Sequence, residues 1–443
     1  MSSKHTQWIC AASLIALVAT ACSGEKSGTA AQPSGKEESA PPRLSQQGAV
    51  EITFLGTRSK ENFMNEDGAG IMKKFPNVKL NYYLIAAKDD LSNAQMSLES
   101  AMTTGVPVDV VHIGIANVGR DLIDTKLAVN HDEYIKKYKT NLSHMNPQAI
   151  EAQKAMTGGP MYGLPVNRSA VKIYYNKDLF DKFGVAYPKD GPTWNETYEM
   201  AKRLTRNDGG VAYQGAIITY DHLITQNQVG SAIVDAKTNK STFVTDAKWQ
   251  KFTSNLVRFH QIPGNESRTT TLFTNDGKAA MWVTAGDLNS AWGAKMNWDM
   301  AKMPVFDDLP GVGGIVRGSL FSVTSLSKHK DEAYQIVEYL ASEEHMMFMH
   351  RQGRLSVLNN TTKSIEAFGK ELTWLNGKKV NFKAMFYDKP MPLYTATKYD
   401  GTATTELVKE MDKLAKGQTS DVNTALRLAD EAASKAISAQ AGK

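Results

Sequence analysis

Beyond residue 49, short strand-like runs alternate with longer helical stretches. Runs rich in β-branched and aromatic residues lie at 50–56, 78–85 and 106–115. The segments between them, including a polar stretch at 89–105, have the length and the apolar spacing of helices. Strands that alternate with helices in this way predict βαβ units on a largely parallel sheet.

The same alternation resumes further along the chain. Strand-like runs lie at 171–176 and 213–220, and Thr193 and Glu196 have capping-box spacing at the start of a predicted helix. A second predicted helix carries one apolar stripe, formed by Ala333, Ile336, Val337 and Leu340. The segment from Thr402 onward is also predicted to be helical and amphipathic.

The first 21 residues have the pattern of an export signal. Lys4 precedes an apolar run from Trp8 to Val18, and small residues lead up to Cys22. The run is too short for a permanent membrane span, so it predicts a signal peptide at 1–21. The VATAC segment that ends at Cys22 resembles the lipobox of bacterial lipoproteins. This resemblance implies lipidation at Cys22 and anchoring on the extracellular face of the cell membrane; the alternative is an ordinary secretory signal with an incidental cysteine.

Composition separates a tether from a globular region. Residues 22–48 are rich in Ser, Gly, Pro, Lys and Glu without apolar periodicity, which predicts a flexible linker. The rest of the chain is long enough for two lobes. The only cysteines, Cys10 and Cys22, exclude a disulfide framework, a thiol nucleophile and a cysteine-rich metal site from the globular region. The net charge is +5 with the basic residues spread along the chain, which disfavours nucleic acid as a partner.

Three separated segments carry motifs of a known family. The segment YGLPVNRSAVKIYYNKDLFDKFGV at 162–185, followed by PTWNETYEMAKRLT, has a Gly-x-Pro, then Tyr-Tyr-Asn-Lys-Asp-Leu-Phe, then Thr-Trp-x-Glu. FTNDGKAAM at 273–281 and SKHKDEAYQIVEYLAS at 327–342 follow in the expected order. Together they resemble the family 1 extracellular solute-binding proteins of ABC importers, and the resemblance spans nearly all of the mature chain.

This resemblance implies a two-lobed α/β fold of the periplasmic-binding-protein type. Each lobe would be a mostly parallel sheet flanked by helices, and crossing hinge strands would join the lobes around a ligand cleft. The family's crossings place lobe one at 49–164 plus 305–358 and lobe two at 165–304 plus 359–443. The implied function is that of a monomeric substrate-binding lipoprotein, without cofactor or metal, that delivers a carbohydrate, in particular an oligosaccharide, to ABC permease subunits.

Candidate ligand contacts lie in loops at the carboxyl ends of the predicted strands, where open α/β sheets bind ligands. A sugar site needs planar polar side chains for adjacent hydroxyls and aromatic faces for the apolar side of the ring. The polar candidates are Arg58, His112, Asn117, Asn167, Arg168, Asp221, Asp287 and Arg317. The aromatic candidates are Tyr220, Trp282, Tyr387 and Tyr394. The alternative for each residue is a structural role: a solvated loop charge, a core tryptophan at Trp282, or a salt bridge across the hinge at Arg168.

Other functions stay open or are disfavoured. Asp287 and Leu288 follow Gly286 where related sugar binders usually carry Trp, so the ligand could be an acidic sugar or another polar solute. A sensory ligand-binding role is a further alternative. An enzyme that acts on surface polysaccharide is disfavoured because the chain has no Gly-x-Ser-x-Gly, His-Glu-x-x-His or P-loop motif.

Overall fold

The computed structural model describes residues 43–44, 48–86, 89–315, 317–387, 389–391 and 393–441. The predicted signal peptide, Cys22 and most of the predicted linker lie outside the described residues. Arg43 and Leu44 differ from the linker prediction, because they contact the globular part of the chain. The Leu44 side chain is fully buried and its backbone N–H donates to Oε1 of Gln335 at 2.8 Å.

The described residues contain eleven strands in two sheets. The strands are β1 (Val50–Gly56), β2 (Val78–Ile85), β3 (Gln95–Met96), β4 (Val110–Gly114), β5 (Leu164–Ser169), β6 (Lys172–Asn176), β7 (Arg206–Asp208), β8 (Val211–Ile218), β9 (Ala279–Thr284), β10 (Trp298–Lys302) and β11 (Arg317–Val323). The first sheet has the order β3-β2-β1-β4-β11-β5 and the second has the order β10-β6-β9-β8-β7.

The first sheet is mostly parallel and the second is mixed. In the first sheet β11 alone runs against the other five strands. In the second sheet β8 and β9 are parallel, whereas the other three pairings are antiparallel. The expectation of a mostly parallel second sheet is therefore corrected. One cause is local: Gly209 and Gly210, both with positive φ, form the tight turn that makes β7 and β8 an antiparallel hairpin.

Sixteen α-helices surround the sheets in the described part of the chain. They are α1 (Lys60–Phe63), α2 (Ala69–Lys74), α3 (Leu98–Thr103), α4 (His131–Tyr138), α5 (Pro147–Thr157), α6 (Lys177–Phe183), α7 (Trp194–Leu204), α8 (Tyr220–Thr225), α9 (Lys248–Val257), α10 (Thr271–Thr274), α11 (Ser290–Gly293), α12 (Lys330–Leu340), α13 (Glu343–Arg351), α14 (Thr362–Ala367), α15 (Asp400–Ala415) and α16 (Val422–Ala441). A π-helical turn, Met64–Gly68, joins α1 to α2. None of the helices within these residues is long and apolar enough to span a membrane.

Most predicted elements form where the apolar pattern places them. β1 and β2 have the predicted bounds, and α7 begins with the predicted capping box, in which Thr193 and Glu196 exchange hydrogen bonds. The third strand is shorter than predicted because it begins at Val110. The polar stretch at 89–105 does not form one helix: it divides into a 3₁₀ turn, β3 and α3.

The chain passes between the two sheets at more than one place, and the first of these connections is short. The first is formed by Ala170 and Val171, which link the end of β5 to the start of β6. The chain returns to the first sheet between Lys302 and Arg317. An isolated bridge also joins Asn167 to Ser356. The exact lobe boundaries given above stay a prediction, but the connections bring the ends of both sheets to one cleft.

Each sheet has its own apolar core. Both faces of the first sheet are covered, since Phe54 and Leu55 belong to different buried clusters. The stripe predicted on α12 is fully buried in the cluster that contains Phe54. The second sheet is packed around buried aromatic residues that include Trp194, Trp249 and Trp298. Rigid cores of this kind leave the polar loops at the strand ends to form the site.

Candidate functional site

A cleft with a volume of about 930 Å³ lies between the two sheets. Its first wall is formed by residues at the ends of β1, β4 and β5 and at the start of β11. Since β11 is antiparallel to β4, with Ser319 opposite Gly114, the start of β11 joins the carboxyl edge of its neighbours. Its second wall is formed by α8, which follows β8, and by the loop at 285–290, which follows β9.

A network of ion pairs forms one end of the first wall. The Arg58 guanidinium contacts the carboxylates of Glu66 and Asp67, both on the π-helical turn. Arg354 contacts the same Glu66 carboxylate from the other side. Nε2 of His345 lies 2.9 Å from Oδ1 of Asp67. Although burial opposes it, the Arg58 charge and the His345 contact hold the pKa of Asp67 well below its usual range, so the Asp67 carboxylate stays ionised.

A hydrogen-bonded chain of neutral groups continues that wall. Nδ1 of His112 lies 3.2 Å from Oγ1 of Thr57, and its Nε2 lies 2.6 Å from Oγ of Ser319. The Ser319 hydroxyl and amide both donate to Oδ1 of Asn167, at 2.8 and 3.0 Å. Burial, assisted by the nearby Arg58 charge, lowers the pKa of His112 to about 3, so its ring is neutral at physiological pH. Asn167 is thereby fixed in orientation beside the cavity.

Arg168 lines the floor of the cleft although only 5% of its surface is exposed. Its Nε donates to the carbonyl of Ser356 at 3.1 Å, and its Nη2 donates to Oδ1 of Asn360 at 2.5 Å. The guanidinium carbon lies 5.7 Å from the centre of the Phe386 ring. Burial lowers the pKa of Arg168 to about 10, so the side chain is still a cation at neutral pH. Within the described residues it makes no ion pair, which does not support the alternative of a hinge salt bridge.

Arg317, the first residue of β11, borders the cleft. Its Nη2 donates to the hydroxyl of Tyr394 and lies 3.6 Å from Oδ2 of Asp400. The Tyr394 hydroxyl in turn donates to the same Asp400 oxygen at 3.2 Å. Tyr394 therefore holds Arg317 in place from behind, and the arginine is the member of this trio that reaches the cavity.

The second wall contains a buried lysine behind an exposed carboxylate. The Nζ of Lys172, which is fully buried, and the hydroxyl of Tyr174 both donate to the carbonyl of Gly286. The next residue, Asp287, is exposed at the cavity surface and has no ion pair within the described residues. Burial lowers the pKa of Lys172 to about 8, with the Asp287 charge opposing the shift. On the same wall, Nδ1 of His222 lies 2.9 Å from Oγ1 of Thr284.

Six of the sequence-predicted contacts lie elsewhere, and one of them is Tyr394, which was expected to offer an aromatic face but lies behind Arg317. Tyr220 and Tyr387 were expected to present aromatic faces to the cleft, but both are buried. Tyr220 is the first residue of α8 and stacks under Arg268, and the Tyr387 hydroxyl donates to the carbonyl of Val171. Three other predicted contacts also lie outside the cleft. Asn117 borders a smaller cavity of about 360 Å³, and Asp221 faces solvent. Trp282 packs with Tyr174 and Phe273 beside a neighbouring cavity.

The structure also brings in residues that the sequence reasoning missed. Trp374, on a 3₁₀ turn far along the chain, is half-buried and is an aromatic side chain on the cleft wall. Gln226 directly follows α8, and its Nε2 donates to the hydroxyl of Ser169 at 2.9 Å, which links the two walls. The available signal for Trp374 was a tryptophan in a polar turn, TWLNGKK. Within the described residues, no group of three or more His, Cys, Asp or Glu side chains could hold a metal ion.

Comparison with known proteins agrees with this architecture. An sn-glycerol-3-phosphate-binding periplasmic protein of Brucella abortus (strain 2308) is 27% identical over 184 residues, which are 38% of this chain and 42% of that protein. A mannitol-binding protein of Pseudomonas aeruginosa is 31% identical over 142 residues, which are 29% of this chain and 31% of that protein. The matches therefore span less than half the length of these relatives.

Solved structures and a family profile extend the comparison to most of the chain. The crystal structure of a sugar transporter from Rhizobium etli, in an open conformation, has a TM-score of 0.68 at 19% identity and covers 87% of this chain and 99% of that chain. At this identity the likeness shows a shared fold. The profile of the bacterial extracellular solute-binding proteins matches residues 57–347, which is more than half of the chain. The protein therefore belongs to the bacterial extracellular solute-binding protein family.

Proposed function

We propose that the protein is the extracytoplasmic substrate-binding component of an ABC importer and that it holds a carbohydrate in the cleft between its two sheets. The observation that carries this proposal is the cleft of about 930 Å³, which combines fixed polar side chains with one aromatic face. Its volume lies in the upper part of the range that small-molecule sites occupy, which suits a sugar or a short oligosaccharide. The bound solute is delivered to the membrane permease subunits.

The wall chemistry suits a polyhydroxylated ligand. Asn167 offers an amide whose oxygen is already held by Ser319, so its NH₂ group is left for a ligand oxygen. Asp287 offers an unpaired carboxylate that accepts hydrogen bonds from hydroxyls. Trp374 offers an apolar face for the C–H side of a ring or chain. The named ligands of the two relatives, glycerol 3-phosphate and mannitol, are both polyhydroxylated and support this ligand class.

Matched aspartate variants test the proposed cleft. A thermal-shift screen of the purified protein with neutral oligosaccharides and sugar alcohols should find a ligand that raises the melting temperature by mass action. Asp287→Asn should weaken the affinity for that ligand about tenfold, because it removes a charged acceptor. Asp221→Asn changes a comparable exposed carboxylate outside the cleft and should leave affinity unchanged. Equal effects of the two variants would contradict the assignment of the cleft, and release of a cleaved product would favour an enzyme.

The membrane anchor is a second part of the proposal. Export followed by lipidation at Cys22 would tether a monomeric binding protein at the cell surface through the polar linker. The Cys22→Ser protein should then appear in the soluble fraction, whereas a Cys10→Ser protein should stay with the membrane. Membrane retention of the Cys22→Ser protein would reject the anchor while leaving the binding function intact.

A further inference from the structure

Two buried cations lie on either side of the first connection between the sheets. Arg168 is the next-to-last residue of β5 and Lys172 is the first residue of β6. Their exposed fractions are 5% and 0%, and neither makes an ion pair within the described residues. Buried charges in proteins are ordinarily paired, because an unpaired one loses its hydration without compensation. The Asp287 carboxylate lies near Lys172, so Arg168 is the cation of this part of the cleft that lacks a nearby counter-charge among the described residues.

The hydrogen bonds of Arg168 leave one end of its guanidinium free. Nε and Nη2 donate to Ser356 and Asn360, both neutral acceptors on the segment that follows α13. Nη1 donates to no described residue, and it is not one of the enclosed donors without a partner, so it remains accessible from the cavity that Arg168 lines. The other arginines of the cleft differ, since Arg58 and Arg354 contact Glu66 and Arg317 contacts Asp400.

The charges around the whole cleft give the same result. Among the described residues that line it or lie directly behind it, five cations face four carboxylates. The cations are Arg58, Arg168, Lys172, Arg317 and Arg354, and the carboxylates are Glu66, Asp67, Asp287 and Asp400. The surplus charge lies at the floor, where Arg168 presents a planar donor suited to two neighbouring oxygens of one acid group.

We propose that the natural solute carries a carboxylate or a phosphate group and that this group accepts hydrogen bonds from Nη1 of Arg168. The inference rests on the proposed binding function and narrows the ligand class to an acidic carbohydrate or a sugar phosphate. The hydroxyl-bearing part of such a solute would extend toward Asp287 and Trp374. Lys172 supports the site from behind through the Gly286 carbonyl rather than by contact.

Probe pairs in which one member carries the acid group and the other is neutral test the inference on the unmodified protein. The carboxylate pair is digalacturonate and its dimethyl ester, and the phosphate pair is sn-glycerol 3-phosphate and glycerol. The charged member of one pair should raise the melting temperature, with an affinity that falls as sodium chloride is added, and the pair that responds identifies the acid group. A neutral probe that binds as tightly as its charged partner overturns the inference and leaves the binding function standing. If neither the acids nor the neutral glycans of the earlier screen bind, the proposed function fails as well.

Arginine variants locate the charge. Arg168→Gln should weaken binding of the charged probe about 10- to 100-fold in calorimetric titration, the range for a lost charged hydrogen bond. Arg258→Gln is the control, since Arg258 also donates to an asparagine side chain, here Asn195, but lies outside the cleft. Arg168→Lys keeps the charge near its place and should lose less, which preserves the test if Arg168→Gln unfolds. Unchanged affinity in both Arg168 variants, or equal loss in Arg258→Gln, overturns the assignment.

Discussion

Single residues in the cleft are held by the protein on one side and left free on the other. The side-chain oxygen of Asn167 accepts a hydrogen bond from Ser319, and its NH₂ group is left for the cavity. Arg168 donates from two of its nitrogens to Ser356 and Asn360. Such side chains lose little conformational freedom when a ligand arrives, because their orientation is already fixed. The close approach of β11 to β5 helps to fix the orientation of Asn167 beside Ser319. This approach requires glycine at position 318, since a Cβ there would lie 1.8 Å from the carbonyl oxygen of Asn167.

Lys172 predicts a pH dependence of stability. Burial lowers its pKa to about 8 from an unfolded value of 10.5, so the unfolded state binds more protons between these limits. Lys172 should therefore add to the free energy of unfolding as pH rises through that window, by about 2 kcal/mol from pH 8 to about pH 10. Buried tyrosines such as Tyr334 and Tyr387, whose pKa values burial raises, contribute with the opposite sign near pH 10, so the effect of Lys172 is measured as the difference between the parent and Lys172→Met in urea unfolding at each pH. That difference should rise with pH by this amount, whereas the difference between the parent and Lys435→Met, at an exposed position of α16, should stay constant. A constant difference for Lys172→Met would contradict the assignment.

Trp374 predicts an aromatic contribution to affinity. It is half-buried on the cleft wall and packs closely over Gly293, where an added Cβ would lie 2.6 Å from its ring. Trp374→Ala should weaken binding of the ligand found in the screen by roughly 1 kcal/mol or more, because an apolar face is lost. Trp374→Phe should retain most of the affinity in the same calorimetric titration. If the alanine variant binds normally, the ring lines the cleft without contacting ligand.

At the scale of elements, local pattern predicted what depends on local contacts. The capping box of α7 and the buried stripe of α12 are fixed by residues three or four positions apart, and both form as expected. Tyr220 shows where this reasoning stops. The apolar run before it reads as one strand through residue 220, but β8 ends at Ile218 and the chain turns into α8. That turn buries Tyr220 against His260 and Arg268, contacts that no local pattern encodes.

The short segment formed by Arg43 and Leu44, which precedes β1, is predicted to stabilise the fold. The Leu44 side chain is fully buried, and its carbonyl accepts a hydrogen bond from Nδ2 of Asn77 at 3.0 Å. Leu44→Ala should lower the free energy of unfolding by about 2 kcal/mol, the lower end for a buried leucine, because a surface segment can shift to fill part of the cavity. Leu91→Ala, at a leucine that is 50% exposed, should change it little. Equal urea midpoints for Leu44→Ala and the parent would mean that the segment is not bound in solution.

At the scale of the molecule, the sequence indicated the cleft but only part of its lining. The carboxyl ends of β1, β5 and β9 and the loops that follow them contain Arg58, Arg168 and Asp287, which could be predicted because the carboxyl edge of a sheet can be inferred from strand order. Arg354 and Trp374 reach the same cavity from the segments that follow α13 and α14, 31 and 51 residues beyond the end of β11. Their placement depends on how helices pack over the sheets, which periodicity does not determine.

The two-sheet architecture predicts closure around the ligand. The walls of the cleft belong to separate cores, and the first connection between them is only Ala170 and Val171, so a change in a few backbone angles can move one wall relative to the other. A ligand that contacts Asn167 on one wall and Asp287 on the other favours the closed arrangement, since only there are both sets of contacts made. Small-angle scattering should show a smaller radius of gyration at ligand saturation than in the free protein. At the same ligand concentration, the Asp287→Asn protein should be only partly occupied because it binds more weakly. Its radius of gyration should therefore lie closer to the value of the free protein. An unchanged scattering profile for the parent protein at full saturation would mean that binding occurs without closure.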